Sequence, residues 1–153
     1  MDGCFDLKTP NDLFGKAEKD YNKFYDNPND YDLFNLLTTL NHLRDWIYPD
    51  KYKAYKGKNL TQYTRDEKLH NRLHNNENYQ KIRELCNRSK HFKSIDIKKR
   101  IVKKTETITG FIFDFNKFGD GFGQKNYIVD GQDIRDIIDE VFNIYKTYFS
   151  RQK

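Results

Sequence analysis

From Asp30 to Pro49 the chain reads DYDLFNLLTTLNHLRDWIYP, and this stretch decides the fold. Leu33, Leu36, Leu37, Leu40, Leu43 and Ile47 recur three and four residues apart, so one side of a helix over residues 30–48 is continuously apolar. Pro49 ends it, because a proline lacks the amide the next turn needs. No other segment is so rich in leucine, which predicts that this helix sits at the centre of the core.

Upstream, Thr9-Pro10-Asn11-Asp12 has the composition of a helix start: a hydroxyl cap, a proline at the first helical position and an acid in the first turn. Leu13, Ala17, Tyr21 and Phe24/Tyr25 keep helical spacing up to the Asp26-Asn27-Pro28-Asn29 breaker. Downstream, residues 50–63 read as a loop whose tyrosines can pack. A third helical region spans Thr64 to His91 with a candidate break at Asn75-Asn76, its later half turning Tyr79, Ile82, Leu85 and Cys86 inward. From Thr105 to Phe115 the period changes to two, the mark of a strand. The glycines of 118–123 turn the chain, Asn126 to Asp130 returns as a partner strand, and a last helix from Gln132 to Phe149 carries Ile134, Ile137, Ile138, Val141, Ile144, Tyr145 and Tyr148. The expectation is one mainly helical domain over residues 1–153, an antiparallel four-helix bundle with a β-hairpin (about 105–130) inserted before the C-terminal helix. The phenylalanine face of that hairpin is expected to pack on helices or on a second subunit.

The composition narrows the functional classes. In 153 residues there are 12 Phe and 11 Tyr, enough bulk for a core despite a hydrophobic fraction of only 36%. No window is apolar enough for a membrane span, and the acidic start has no secretory pattern, so a cytoplasmic protein is expected. Cys4 and Cys86 are the only cysteines, too few for a disulfide scaffold or a thiolate zinc site. The net charge of +5 is unevenly spread: residues 1–50 carry −5, 51–80 carry +4, 81–104 carry +8 and 105–153 carry −2. A block of that density suits RNA or another polyanion, with Arg88, Lys93, Lys98, Lys99 and Arg100 as backbone contacts. It equally suits a solvated face balanced by the acidic N-terminal part.

Three constellations could carry chemistry. Arg83, Asn87, Lys90 and His91 fall on one helical face, where two cations could neutralise a phosphate and an imidazole move a proton; the same residues make an ordinary polar helix end. His42 and Asp45 are three residues apart on the central helix beside Trp46, so the carboxylate could orient the ring, or His42 is simply an edge residue. Arg65 and His70 form an Arg–x4–His pattern, with Asp66 directly after the arginine, although a spacing this loose is easily met by chance. The weaker motifs have plainer readings: Gly119, Gly121 and Gly123 as a hairpin loop, His70 and His74 as a solvated face without a zinc signature, and Cys86 as core. No metal or cofactor is expected.

Two segments also carry a resemblance. His42-Leu-Arg-Asp-Trp-Ile-Tyr-Pro49 and Leu85-Cys-Asn-Arg-Ser-Lys-His-Phe92 resemble small bacterial proteins, mostly of unassigned function, in which an Asp-Trp helix precedes an Asn-x-x-Lys-His-Phe segment, a β stretch and a closing helix. The helical core is also similar to the HEPN superfamily, whose members include toxin and phage-defence ribonucleases that dimerise around a composite site. That resemblance implies an RNA-binding protein or metal-independent endoribonuclease, and a homodimer. His91 or His42 would then be the base, the other histidine the acid, and Arg83 and Lys90 the phosphorane stabilisers. The active-site pattern of these ribonucleases is an arginine followed by a polar residue and, a short interval on, a histidine, which Arg65, Asp66 and His70 resemble; the departure is that no arginine stands five to seven positions before His91, and Arg65/His70 is not on the closing helix. The rival class is a non-catalytic protein-interaction module, or a phage- or plasmid-encoded inhibitor, that docks through the basic face.

Overall fold

The computed structural model describes residues 5–49, 55–90, 100–110 and 123–150, with the side chain of Lys90 left out. In chain order these form α1 (Pro10–Asp26), α2 (Asp30–Ile47), a single 3-10 turn (Leu60–Gln62), α3 (Arg65–His74), α4 (Glu77–Lys90), β1 (Thr105–Thr109), β2 (Lys125–Val129), β3 (Gln132–Asp133) and α5 (Ile134–Ser150).

Each helix starts where local chemistry satisfies its free amides. Thr9 and Asp12 form a reciprocal capping box at α1: the Asp12 amide donates to Thr9 Oγ1 at 3.1 Å and the Thr9 amide to Asp12 Oδ2 at 2.8 Å. Asn29 Oδ1 accepts from the amides of Tyr31 and Asp32 at the start of α2. Thr64 and Glu67 repeat the capping box at α3. Asn75 and Asn76 are the break between α3 and α4, and Asn76 Oδ1 caps α4 by accepting from the Tyr79 amide at 2.7 Å. The Asp133 carboxylate accepts from the Arg135 amide at the head of α5.

The leucine stripe of α2 is buried as its spacing predicts: Leu36, Leu40 and Leu43 are wholly inaccessible, and α2 packs against α1, α3, α4 and α5. From α4 it receives Tyr79, Ile82 and Cys86, and from α5 Ile134, Ile137, Ile138, Val141, Ile144 and Tyr145. Polar ties cross this core. The Tyr145 hydroxyl donates to the Leu40 carbonyl at 2.9 Å, and Tyr21 and Tyr25 of α1 both donate to Asp139 of α5.

A mainly helical chain with a small antiparallel sheet therefore stands, with two differences from expectation. The break expected at Asn75-Asn76 is present and divides the third helical region into two helices, so the described residues hold five helices where a four-helix bundle was expected. The β unit is a three-stranded sheet of order β1-β2-β3, not a lone hairpin. β1 pairs with β2 with Thr107 opposite Tyr127, and β2 turns into β3 through Asp130-Gly131. Both turn residues have positive φ, 51° and 81°, as a two-residue hairpin connection requires. Asp130 also accepts from the amides of Lys103 and Lys104, fixing the approach to β1. The sheet is tied to the α1–α2 corner by Asp30, which accepts from the Tyr127 hydroxyl and the Lys125 ammonium, each at 2.9 Å. Residues 111–115 of the expected strand, and Gly119 and Gly121, lie outside the described residues. Among the described residues no helix is long and apolar enough to cross a membrane.

Candidate functional site

The densest polar chemistry gathers where the C-terminal half of α2 meets α3 and α4. Arg44 stands in line with Leu37, Leu40 and Asn41, so its side chain enters the core face and is only 13% exposed. Its guanidinium lies 5.4 Å from the centroid of the Tyr79 ring and donates through Nε and Nη2 to Asp45 Oδ1 at 3.0 and 2.9 Å. The Tyr79 hydroxyl donates to the Asn41 carbonyl at 3.2 Å, and burial pushes that phenol up.

Two histidines on α3 face this end of the molecule. His70 is buried beside Tyr48 and Tyr55, and its Nδ1 shares a 2.7 Å hydrogen bond with the Tyr55 hydroxyl. Burial lowers its pKa from the ordinary 6.5 to about 4, helped by the charges of Arg44, His74 and Arg83 and opposed by Asp45. His74, one turn on and half-buried, is lowered by burial and then by Arg44 and Arg83. Two guanidiniums from α2 and α4 thus stand close enough to two imidazoles of α3 to disfavour their protonated forms. With Arg44 paired to Asp45, Arg83 is the charge that this cluster leaves open beside imidazole bases that are neutral at pH 7, an arrangement suited to an anionic ligand with a transferable proton.

Against this geometry the expected site residues divide. Arg83 belongs to the cluster; it is half-buried and has one long contact to Gln80 Oε1 at 3.5 Å. Asn87 is half-buried a turn further along α4, with Ile82 and Cys86 on the core side as expected. Asp45 is part of the cluster but does not orient His42: its carboxylate is taken by Arg44, and exposed His42 makes no hydrogen bond to a described residue.

Arg65 and His70 do not converge. Five residues of helix rotate the second side chain about 140° from the first. Arg65 accordingly lies over Tyr148 of α5, while His70 points into the Tyr48–Tyr55 cage. Arg88 is not available for phosphate either. It pairs with Glu84 and donates to the Val102 carbonyl, while Glu84 Oε2 accepts from the Ile101 amide at 2.6 Å, so the pair anchors residues 101–102 to α4. Arg100 is half-buried and its carbonyl accepts from Lys103 Nζ. His91, Lys93, Lys98 and Lys99, and the side chain of Lys90, lie outside the described residues.

The spacing patterns passed over Arg44 and His74. The signal for Arg44 was a charged residue inside the apolar stripe of α2, a position that requires a partner on the facing helix. His74 had only its i, i+4 relation to His70. Among the described residues no group of three His, Cys, Asp or Glu side chains could hold a metal ion. No protein family, curated protein or solved structure matches the chain.

Proposed function

We propose that this chain is an RNA-binding protein in which the α2–α3–α4 cluster receives a phosphodiester, in line with the HEPN-like resemblance of its helical sequence. The observation that carries the reading is the meeting of Arg44 and Arg83 with His70 and His74, whose imidazoles are held below their ordinary pKa. The charge block of residues 81–104 supports it, because phosphate neutralisation releases counterions and gives affinity without sequence preference. In the cleaving form of this function, neutral His74 takes the proton of the ribose 2′-hydroxyl and a second histidine, His42 or His91, protonates the leaving oxygen. Arg83 and Lys90 then stabilise the phosphorane. No metal ion enters this scheme.

Binding without cleavage is a second reading, favoured by one observation: the pair that fits the ribonuclease spacing, Arg65 and His70, points in divergent directions. A single set of assays separates the two. Labelled RNA is incubated with the protein in EDTA, and retention and cleavage are scored for the wild type, Arg83→Ala and His74→Gln. Cleavage that His74→Gln abolishes supports the enzyme; salt-dependent retention with intact RNA supports binding alone. Absence of retention at every salt concentration rejects RNA as the ligand.

A further inference from the structure

On the flank of α3 turned away from the histidines, a second surface has the chemistry of a nucleotide seat. Arg65, Lys68 and Arg72 stand at positions i, i+3 and i+7, so all three cations share one face. Together with Leu69 they form one wall and the floor of an open groove of about 170 Å³, whose opposite wall is Ile144 and Tyr148 of α5. The lining contains three cations and no carboxylate. The acids of α3 are committed elsewhere: Asp66 Oδ1 accepts from the Tyr148 hydroxyl at 2.6 Å, and Glu67 pairs with Lys58 at 2.7 Å. Lys68 and Arg72 are exposed and pair with no described acid.

The aromatic wall is held in place before any ligand arrives. The Arg65 guanidinium lies 4.4 Å from the centroid of the Tyr148 ring and donates to the Tyr148 carbonyl, while Asp66 holds the phenol end. A stacked arginine presents a second flat face outward, on which a planar ring can lie at little further entropic cost. The groove is too small for a drug-sized ligand and is on the scale of one base with its phosphate.

We propose that this groove seats one unpaired nucleotide of the bound RNA, its base against the Arg65–Tyr148 stack and its flanking phosphates on Lys68 and Arg72. The inference rests on the RNA reading above and deepens it by making the preferred substrate single-stranded, since a base inside a duplex has no free face to offer. An acidic protein segment would use the charges but gains nothing from the stack.

The test is fluorescence anisotropy with a labelled 12-nucleotide oligoadenylate and with the same strand in a duplex, over a range of salt. Far-UV circular dichroism melts confirm that each variant folds. Lys68→Gln/Arg72→Gln should weaken oligoadenylate binding roughly tenfold at low salt and reduce the slope of log affinity against log salt by about 1.4, two single-strand phosphate contacts. Arg65→Lys keeps the charge and loses the flat stack; it should weaken the single strand about fivefold or more with the salt slope unchanged. Unaltered affinity and slope in the double variant, with wild-type binding intact and sensitive to Arg83→Ala, would overturn the groove and leave the RNA reading standing. Equal affinity for duplex and single strand, with no response to Arg65→Lys, would overturn the stacking seat. So would equally tight binding of polyglutamate through Lys68 and Arg72. No oligonucleotide binding by the wild type would remove both readings.

Discussion

Replacing His70 by glutamine should flatten the acid side of the stability curve. His70 is buried, bonded to Tyr55 and lowered from 6.5 to about 4. Between those values the unfolded chain binds a proton at this site and the folded chain does not, so stability falls as pH drops from 6.5 towards 4. The two pKa values give a loss of about 2 kcal/mol at pH 5 relative to pH 7.5. His74 shifts the same way, by burial and the neighbouring arginines, and is present in both proteins, so the difference between them isolates His70. Urea unfolding followed by far-UV circular dichroism at pH 7.5, 6.5, 5.5 and 5.0 measures it. The wild type should lose about 2 kcal/mol more than His70→Gln over this range. Parallel curves would refute the reasoning, because they would mean that His70 takes up its proton in the folded protein as easily as in the unfolded one.

Further predictions test other parts of the structure. Arg83→Ala removes a charge that opposes protonation of both α3 histidines, so the imidazole resonances of His70 and His74 should titrate at higher pH in NMR spectra. Glu84→Gln should cost about 1–2 kcal/mol in chemical denaturation, since it leaves half-buried Arg88 without its counter-charge and weakens acceptance from the Ile101 and Val102 amides. Asp133→Asn should lower stability in chemical denaturation by about 1–3 kcal/mol, because the Asp133 carboxylate pairs with a guanidinium only 6% exposed and also accepts from the Arg135 amide. Finally, oligonucleotide affinity at constant salt should rise as pH falls from 8 to 6, and His74→Gln should remove most of that rise.

Features written in local chemistry were the legible ones. The leucine spacing of α2 and the Thr9-Pro10-Asn11-Asp12 start of α1 each specify their element within a turn of chain, and the structure places both where the sequence indicates. Asp130-Gly131 was equally local, but its signal was absorbed into the end of a strand, which hid β3 and the third strand of the sheet. The site was less legible because its members meet only through packing. Arg44 and His74 lie 30 residues apart in sequence, and their proximity depends on how α3 and α4 fold back along α2. Spacing alone also misleads in the opposite direction. Arg65 and His70 satisfy a linear pattern, yet helical geometry separates them, and tertiary partners on α5 and in the tyrosine cage claim one each.

The pH dependence of binding follows from what holds His74 neutral. Burial lowers its affinity for a proton, and Arg44 and Arg83 lower it further by charge repulsion. A phosphate arriving beside Arg83 offsets its charge and adds a negative charge of its own, so the imidazole gains protons when the ligand binds. Linkage makes the effect reciprocal: if phosphate strengthens protonation, protonation strengthens phosphate binding by the same factor. Affinity must then increase on acidification through the pKa that His74 has in the complex, while a site made only of arginines would show no such increase. The salt dependence distinguishes this from a general gain of positive surface charge, which would steepen the counterion slope without depending on His74. His42→Gln is therefore the companion variant, because His42 is the histidine of α2 that the cleaving scheme offers as proton donor. A pH response lost in that variant and kept in His74→Gln would transfer the proton-linked role from α3 to α2, and with it the place where the phosphodiester lies.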